Sequence, residues 1–277
     1  MSCKNQSQTS VKTTSIQGHR GCRGLFPENS MMGFEKAIEL NVNALELDVV
    51  VSKDHQVVVS HEPFMNHEIA LDLQGSPISE ADEKKYNLYQ MSYDSIRQYD
   101  CGSKKHPRFP NQKKIKVVKP LLTDVIQMSE QKTNSTINYN IEIKRKPSYD
   151  DVFAPKVAVF VRLVLEVIHK YDLGNRVNLQ AFDLETLEEI KKQAPNMKLA
   201  LLVDENESID KKLKQLSFTP EIISPYYKLL TRKNVRDYQK NNFQVIPWTV
   251  NKEADILQLI NWNVDAIITD YPDIRAK

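Results

Sequence analysis

From residue 16 onward, short β-branched runs alternate with longer stretches of helical periodicity, and this alternation restricts the fold more than any other feature of the chain. SIQGH (15–19) is followed by SMMGFEKAIEL (30–40), which keeps apolar residues at helical spacing behind Ser30 as a candidate N-cap. ALELDVVVS (44–52) alternates as a strand does, and QVVVSHE (56–62) reads as its hairpin partner or extension across KDHQ. After an interruption the rhythm resumes: helix 121–132, strand 138–144, helix 154–170, strand 177–182, helix 184–193 and strand 198–203. Strands at 221–226, 243–250 and 264–270 follow, with helices near 231–240 and 252–261.

About eight parallel strands fit this count, which predicts an α/β chain folded as a (β/α)8 barrel, with residues 63–118 inserted after the second strand. A doubly wound open sheet gives the same pulses, because periodicity reports strands and helices but not closure. Neither GxGxxG nor GxxxxGK[ST] is present, so a nucleotide-binding sheet has no positive support. The length of 277 residues suits one barrel domain over 16–277, and 40% hydrophobic content supplies its core. A net charge of +2 gives no broad field for nucleic acid, and no apolar run approaches the roughly 18 residues of a membrane span.

Residues 1–15 are polar and rich in Ser, Thr, Lys and Gln, and read as a flexible leader. Cys3 before such a tether resembles the start of a mature bacterial lipoprotein, which points to a lipid anchor and a cell-envelope or periplasmic location; a surface cysteine on a frayed terminus is the equal alternative. Cys3, Cys22 and Cys101 lie far apart and form no CxxC pair, which argues against a zinc knot and a disulfide scaffold.

Polar residues at the ends of apolar strands mark the active face of an α/β barrel. His19 and Arg20 follow the first strand, Glu46 and Asp48 lie on the second, His61 and Glu62 end its partner, and Glu142 and Lys144 lie on the next. Glu46 and Asp48 are two apart and share a strand face, as do Glu142 and Lys144. Three such carboxylates repel unless a cation or protons neutralise them, and an all-oxygen set selects a hard ion, Mg²⁺ or Ca²⁺. Salt bridges to Arg20 and Lys144 are the bland alternative. His19 and His61 suit acid–base chemistry near neutral pH, and Arg20 and Lys144 suit the non-bridging oxygens of a phosphodiester.

The segment 18–62, with HRG, PEN, ELD, SKD and VVxH in order, resembles the signature region of glycerophosphodiester phosphodiesterases. NIEIK (140–144), LQAF (179–182), VIPWTVN (245–251) and IITDYPD (268–274) resemble that family's later strand motifs. The resemblance implies a barrel enzyme that uses a divalent cation to cleave a glycerophosphodiester to glycerol 3-phosphate and an alcohol. It implies Glu46, Asp48 and Glu142 as metal ligands, His19 and His61 as acid and base, and Arg20 and Lys144 as phosphate contacts. Trp248 matches an aromatic wall for glycerol, with core packing as its alternative. Glu28 and Asn29 of PEN sit by the start of the first helix, where the family's site is shaped, and a structural N-terminal cap is the equal alternative for Glu28. The chain departs from the family pattern at His61-Glu62, where many members have His-Asp, and at Cys22-Arg23; neither departure is expected to touch a metal ligand, and both bear on substrate choice. The insertion covers the pocket in such a fold, and its basic and aromatic content hints at an anionic headgroup. Rival readings are a lysophospholipase D-like or phosphoinositide phospholipase C-like enzyme on the same barrel, and a non-catalytic protein that captures phosphorylated ligands.

Overall fold

The computed structural model describes residues 13–274, so Cys3 and the proposed anchor lie outside the described residues. The chain opens with β1 (Ser15–Gly18), α1 (Met31–Glu39), β2 (Ala44–Val51) and β3 (Val57–Val59). The short α2 (Tyr93–Ile96) lies in the insertion, and α3 (Leu122–Thr133), β4 (Asn138–Ile143), α4 (Val157–Lys170), β5 (Val177–Ala181), α5 (Leu184–Gln193) and β6 (Lys198–Val203) follow. The last third holds α6 (Ile209–Leu213), β7 (Ile222–Pro225), α7 (Arg232–Lys240), β8 (Gln244–Val245), α8 (Glu253–Asn261) and β9 (Ala266–Thr269). Ser15, read on sequence into both leader and strand, belongs to β1, and the Thr14 hydroxyl donates to the Val264 carbonyl at 2.9 Å.

Eight strands run parallel in the order β8-β7-β6-β5-β4-β2-β1-β9, and β3 pairs antiparallel with β2 outside that path. The two ends of the order meet through backbone bonds: Asp265 N donates to Val245 O at 3.0 Å, Ile268 N to Pro247 O at 3.0 Å and Val250 N to Ile268 O at 2.9 Å. The alternation therefore resolves to a nearly closed barrel rather than an open sheet. Leu45, Leu47 and Val49 of β2 join the large apolar cluster shared with the helices, which leaves Glu46 and Asp48 to face the lumen.

The lumen is layered by polarity. Ala200, Ile222, Ile246, Ala266 and Ile268 form one apolar cluster inside. Across from it Asn178 donates to Asn140 at 2.6 Å and Asn140 to Gln17 at 2.8 Å, an amide chain that satisfies its own polar groups.

One expectation is revised locally, and two features add to the sequence reading. The strand read over 243–250 shrinks to Gln244–Val245, because Pro247 has no N–H for a ladder; Ile246 and Trp248 still donate singly to Ile223 O at 2.9 Å and Pro225 O at 3.1 Å. The helix α6 was not legible, since five residues capped by Ser208 are too few to show a period. The insertion has its own packing: Met65, Ile69, Leu88, Ile96, Tyr99 and Val117 pack on Val50 and Val58 of the β2–β3 hairpin as a satellite core. Cys22 and Cys101 are buried free thiols.

Candidate active site and metal centre

The site begins with register. β2 and β4 pair so that Asp48 lies beside Glu142 and Glu46 beside Asn140, and β5 brings Gln180 next to Glu142. Oxygens of Glu46, Asp48 and Glu142 consequently lie within 4.8 Å of one another, and all three residues are buried. Burial, together with the charges of Asp48 and Glu142, pushes the Glu46 carboxyl well above its ordinary range. Burial likewise raises Glu142 to about 7, with Lys144 pulling the other way. Asp48 is held low despite its burial, because His61, Arg20 and Lys144 surround it and Asn29 donates to it at 2.9 Å. Such a set fits a hard divalent cation: it is all oxygen, self-repelling and buried, and the Gln180 Oε1 that adjoins it has no donor.

The sequence-predicted cations are also in the site, and they partly fulfil the salt-bridge alternative. Arg20 donates to Glu28 at 2.8 Å, lies 3.3 Å from Asp48 through Nε, and gives its backbone N–H to Glu46 at 2.9 Å. That Nε has no hydrogen-bond partner. Lys144 donates to Glu142 at 2.7 Å and lies 3.0 Å from His61 Nε2. Glu28 thus serves as the anchor of Arg20, while Ser30 caps α1 as expected by accepting from Gly33 N at 3.1 Å.

Each histidine is oriented by a carboxylate. His19 Nδ1 meets Asp270 at 2.6 Å, which assigns the Nδ1–H tautomer and leaves Nε2 toward the cavity, 3.9 Å from Glu46. Asp270 is 1% exposed and also accepts from Arg23 Nε at 2.9 Å and Asn251 at 2.7 Å. His61 Nδ1 meets Glu62 at 2.5 Å. Burial lowers both imidazole pKa values, that of His61 most strongly because Arg20 and Lys144 also oppose its charge. Glu62 and Arg23, which the sequence marks as departures from the expected pattern, therefore reach the histidines, Glu62 directly and Arg23 through Asp270.

His19, Arg20, Glu46, His61, Glu142, Lys144 and Trp248 line one cavity of about 380 Å³, and Asp48 lies beside it through Lys144. Trp248 is half-buried there, edge-on to Phe182 at 5.5 Å, and its indole N–H is satisfied by Ser224 O at 2.8 Å, so it is both wall and packing. Sequence reasoning missed Asp270, Arg23, Asn251, Gln180 and Arg108, the last of which reaches the cavity from the insertion. Strand parity could have found Gln180, and Asp270 follows a strand end within IITDYPD.

A family model described as the glycerophosphoryl diester phosphodiesterase family matches residues 19–274. The chain belongs to that family. A glycerophosphodiester phosphodiesterase of Caldanaerobacter subterraneus subsp. tengcongensis is 27% identical over 260 residues, covering 94% of this chain and 95% of that protein. A crystal structure from Silicibacter pomeroyi that bears the same family name superimposes with a TM-score of 0.86 at 28% identity, over 96% of this chain and 92% of the other. An Oleispira antarctica phosphodiesterase solved with the product sn-glycerol-3-phosphate shares the fold, with a TM-score of 0.73 at 21% identity over 94% of each chain. The barrel is thus that of a phosphodiesterase family, and the family match spans nearly every described strand.

Proposed function

We propose that the chain hydrolyses glycerophosphodiesters to glycerol 3-phosphate and an alcohol, with a divalent cation held by Glu46, Asp48 and Glu142. The observation that carries this reading is the buried carboxylate triad, with ligand oxygens within 4.8 Å, at the wall of a cavity lined by two carboxylate-oriented histidines. When bound, the cation supplies Lewis acidity and positive charge beside the reacting phosphate. The crystallised relative from Oleispira antarctica, solved with sn-glycerol-3-phosphate, supports the product class.

The chain's own residues divide the remaining work. His19 offers an unprotonated Nε2, and Asp270 at its Nδ1 stabilises the imidazolium that forms when it takes a proton from the attacking hydroxyl or water. His61 is the partner that gives a proton to the departing alcohol; it does so from its imidazolium form, which Glu62 at Nδ1 stabilises and which requires Lys144 to turn from its Nε2 to the phosphate. Arg20 Nε and Lys144 hold the non-bridging oxygens, where negative charge concentrates as the bond breaks. Trp248 and Phe182 form the apolar wall for the glycerol carbons.

The test is release of glycerol 3-phosphate from a panel of glycerophosphodiesters after EDTA treatment, with Mg²⁺, Ca²⁺ or Mn²⁺ then restored. Metal-restored release is expected. Absence of release with every metal and headgroup, alongside choline release from micellar lysophosphatidylcholine, would instead favour the lysophospholipase D reading.

A further inference from the structure

Two cavities meet at the reacting centre. The one of about 380 Å³ holds His19 and Trp248; a second, of about 560 Å³, lies between the insertion and the loop after β4 and adds Glu62, Phe64, Glu83, Lys84, Lys146 and Tyr149. Both include His61, Glu142, Lys144, Phe182 and Asp204. A phosphodiester carries two organic arms on one phosphorus, so a phosphate seated at the shared residues leaves one cavity for each arm. With glycerol against Trp248, the larger cavity is left for the alcohol.

The lining of that cavity disfavours a cationic alcohol. A quaternary ammonium is bound best by bare aromatic faces, and here lysine ammonium groups lie over Tyr149 and Phe182, two of the three rings that line the cavity. Lys146 Nζ lies 5.5 Å from the Tyr149 ring centroid, and Lys144 and Lys212 lie 5.8 and 5.5 Å from that of Phe182. The carboxylates are each engaged by protein donors: Glu62 by His61 at 2.5 Å, Glu83 by the His67 ring and backbone at 2.8 and 3.0 Å, Asp204 by Asn206 at 3.3 Å. Lys84 and Lys146 differ. Both are exposed, and neither has an ion pair among the described residues. Arg145, beside Lys146 in that loop, is already paired with Asp150 and Asp183.

We propose that the larger cavity is the alcohol subsite and that it is suited to an alcohol carrying its own negative charge, a carboxylate or a second phosphate group, held by Lys84 and Lys146. The proposal rests on the phosphodiesterase reading above. It is tested with the metal-loaded enzyme on four glycerophosphodiesters: one whose alcohol is a hydroxy acid, one whose alcohol ends in a phosphomonoester, neutral glycerophosphoglycerol and cationic glycerophosphocholine. At low salt the kcat/KM ratio of the better anionic substrate to glycerophosphoglycerol is expected near tenfold, with glycerophosphocholine lowest. The double variant Lys84→Glu/Lys146→Glu, at exposed positions and checked by an unchanged Tm, should lower that ratio about tenfold, and 1 M salt should shrink it in the unmodified enzyme. Whichever anionic substrate shows the larger ratio identifies the group as carboxylate or phosphate. A flat ratio, a preference for glycerophosphocholine, or a ratio indifferent to the double variant overturns the proposal while leaving phosphodiester hydrolysis intact. No turnover of any of the four with any metal overturns both.

Discussion

His19 and His61 share a residue type and a tautomer but not a neighbourhood. Asp270, Arg23 and Asn251 lock the first, whereas the second is bracketed by Glu62 and the Lys144 ammonium. Replacing either with Ala is expected to lower kcat by roughly 10² or more, the ordinary size of an acid–base contribution; unchanged turnover in both variants would refute their assignment. Asp270→Asn is the finer experiment, because the amide can present N–H to Nδ1 and reverse the tautomer. Its expected signature is a loss of about tenfold or more in kcat with KM and Tm little changed. A change confined to KM would assign Asp270 to binding instead.

At the scale of elements, the turn after β1 is the most constrained piece of backbone in the site. Gly21 has φ +89°, and a Cβ there would lie 2.8 Å from the Gly33 carbonyl carbon of α1. Gly21→Ala is therefore expected to cost about 2 kcal/mol or more, read by denaturant unfolding, since both the left-handed backbone and the close helix approach are violated. A second device joins α3 to the start of β5: Arg176 meets Glu130 with two contacts of 2.6 Å, and Tyr139 donates to the same carboxylate at 2.7 Å. Although burial opposes it, Arg176 holds the Glu130 carboxyl below its ordinary value. A depressed carboxylate contributes stability above the unfolded pKa near 4.5 and loses it as pH falls through the folded one. Glu130→Gln should thus cost about 1–2 kcal/mol at pH 7, and its difference from the parent should shrink below pH 4. An equal difference at both pH values would mean that packing, not charge, is what the glutamate supplies.

For the whole molecule, closing the barrel gathers three carboxylates that Arg20 and Lys144 only partly compensate at one point of the lumen. Folding alone leaves Glu46 and Glu142 with carboxyls raised by burial, so a cation that binds there stabilises the native state over the unfolded chain, which has no such site. At about 100 times its Kd a divalent cation is worth about 2.7 kcal/mol, which for a chain of this size is a rise of roughly 5 °C in Tm. Thermal melts of EDTA-treated protein with and without Mn²⁺ or Ca²⁺ check this, and the Glu46→Gln/Glu142→Gln variant should show no rise. The insertion belongs to this scale too: Phe109 stacks under Arg23 at 4.9 Å and His106 lies 3.9 Å from Glu28, so the segment braces the residues that orient His19 and Arg20.

The amino-acid sequence by itself determined the pulse of strands and helices, and the strand parity that turns Glu46, Asp48 and Glu142 to one side, because both follow from local periodicity and chirality. It also determined that Ser30 would cap α1, since the cap needs only its own next turn. Tertiary structure alone decided closure, which depends on bonds between β8 and β9 and on a register no single strand encodes. It alone brought Asp270 to His19, 251 residues away in the chain, and seated Arg23 and Arg108 at the site. Those residues stand in sequence among turns and charges like many others, and only the folded distance tells them apart.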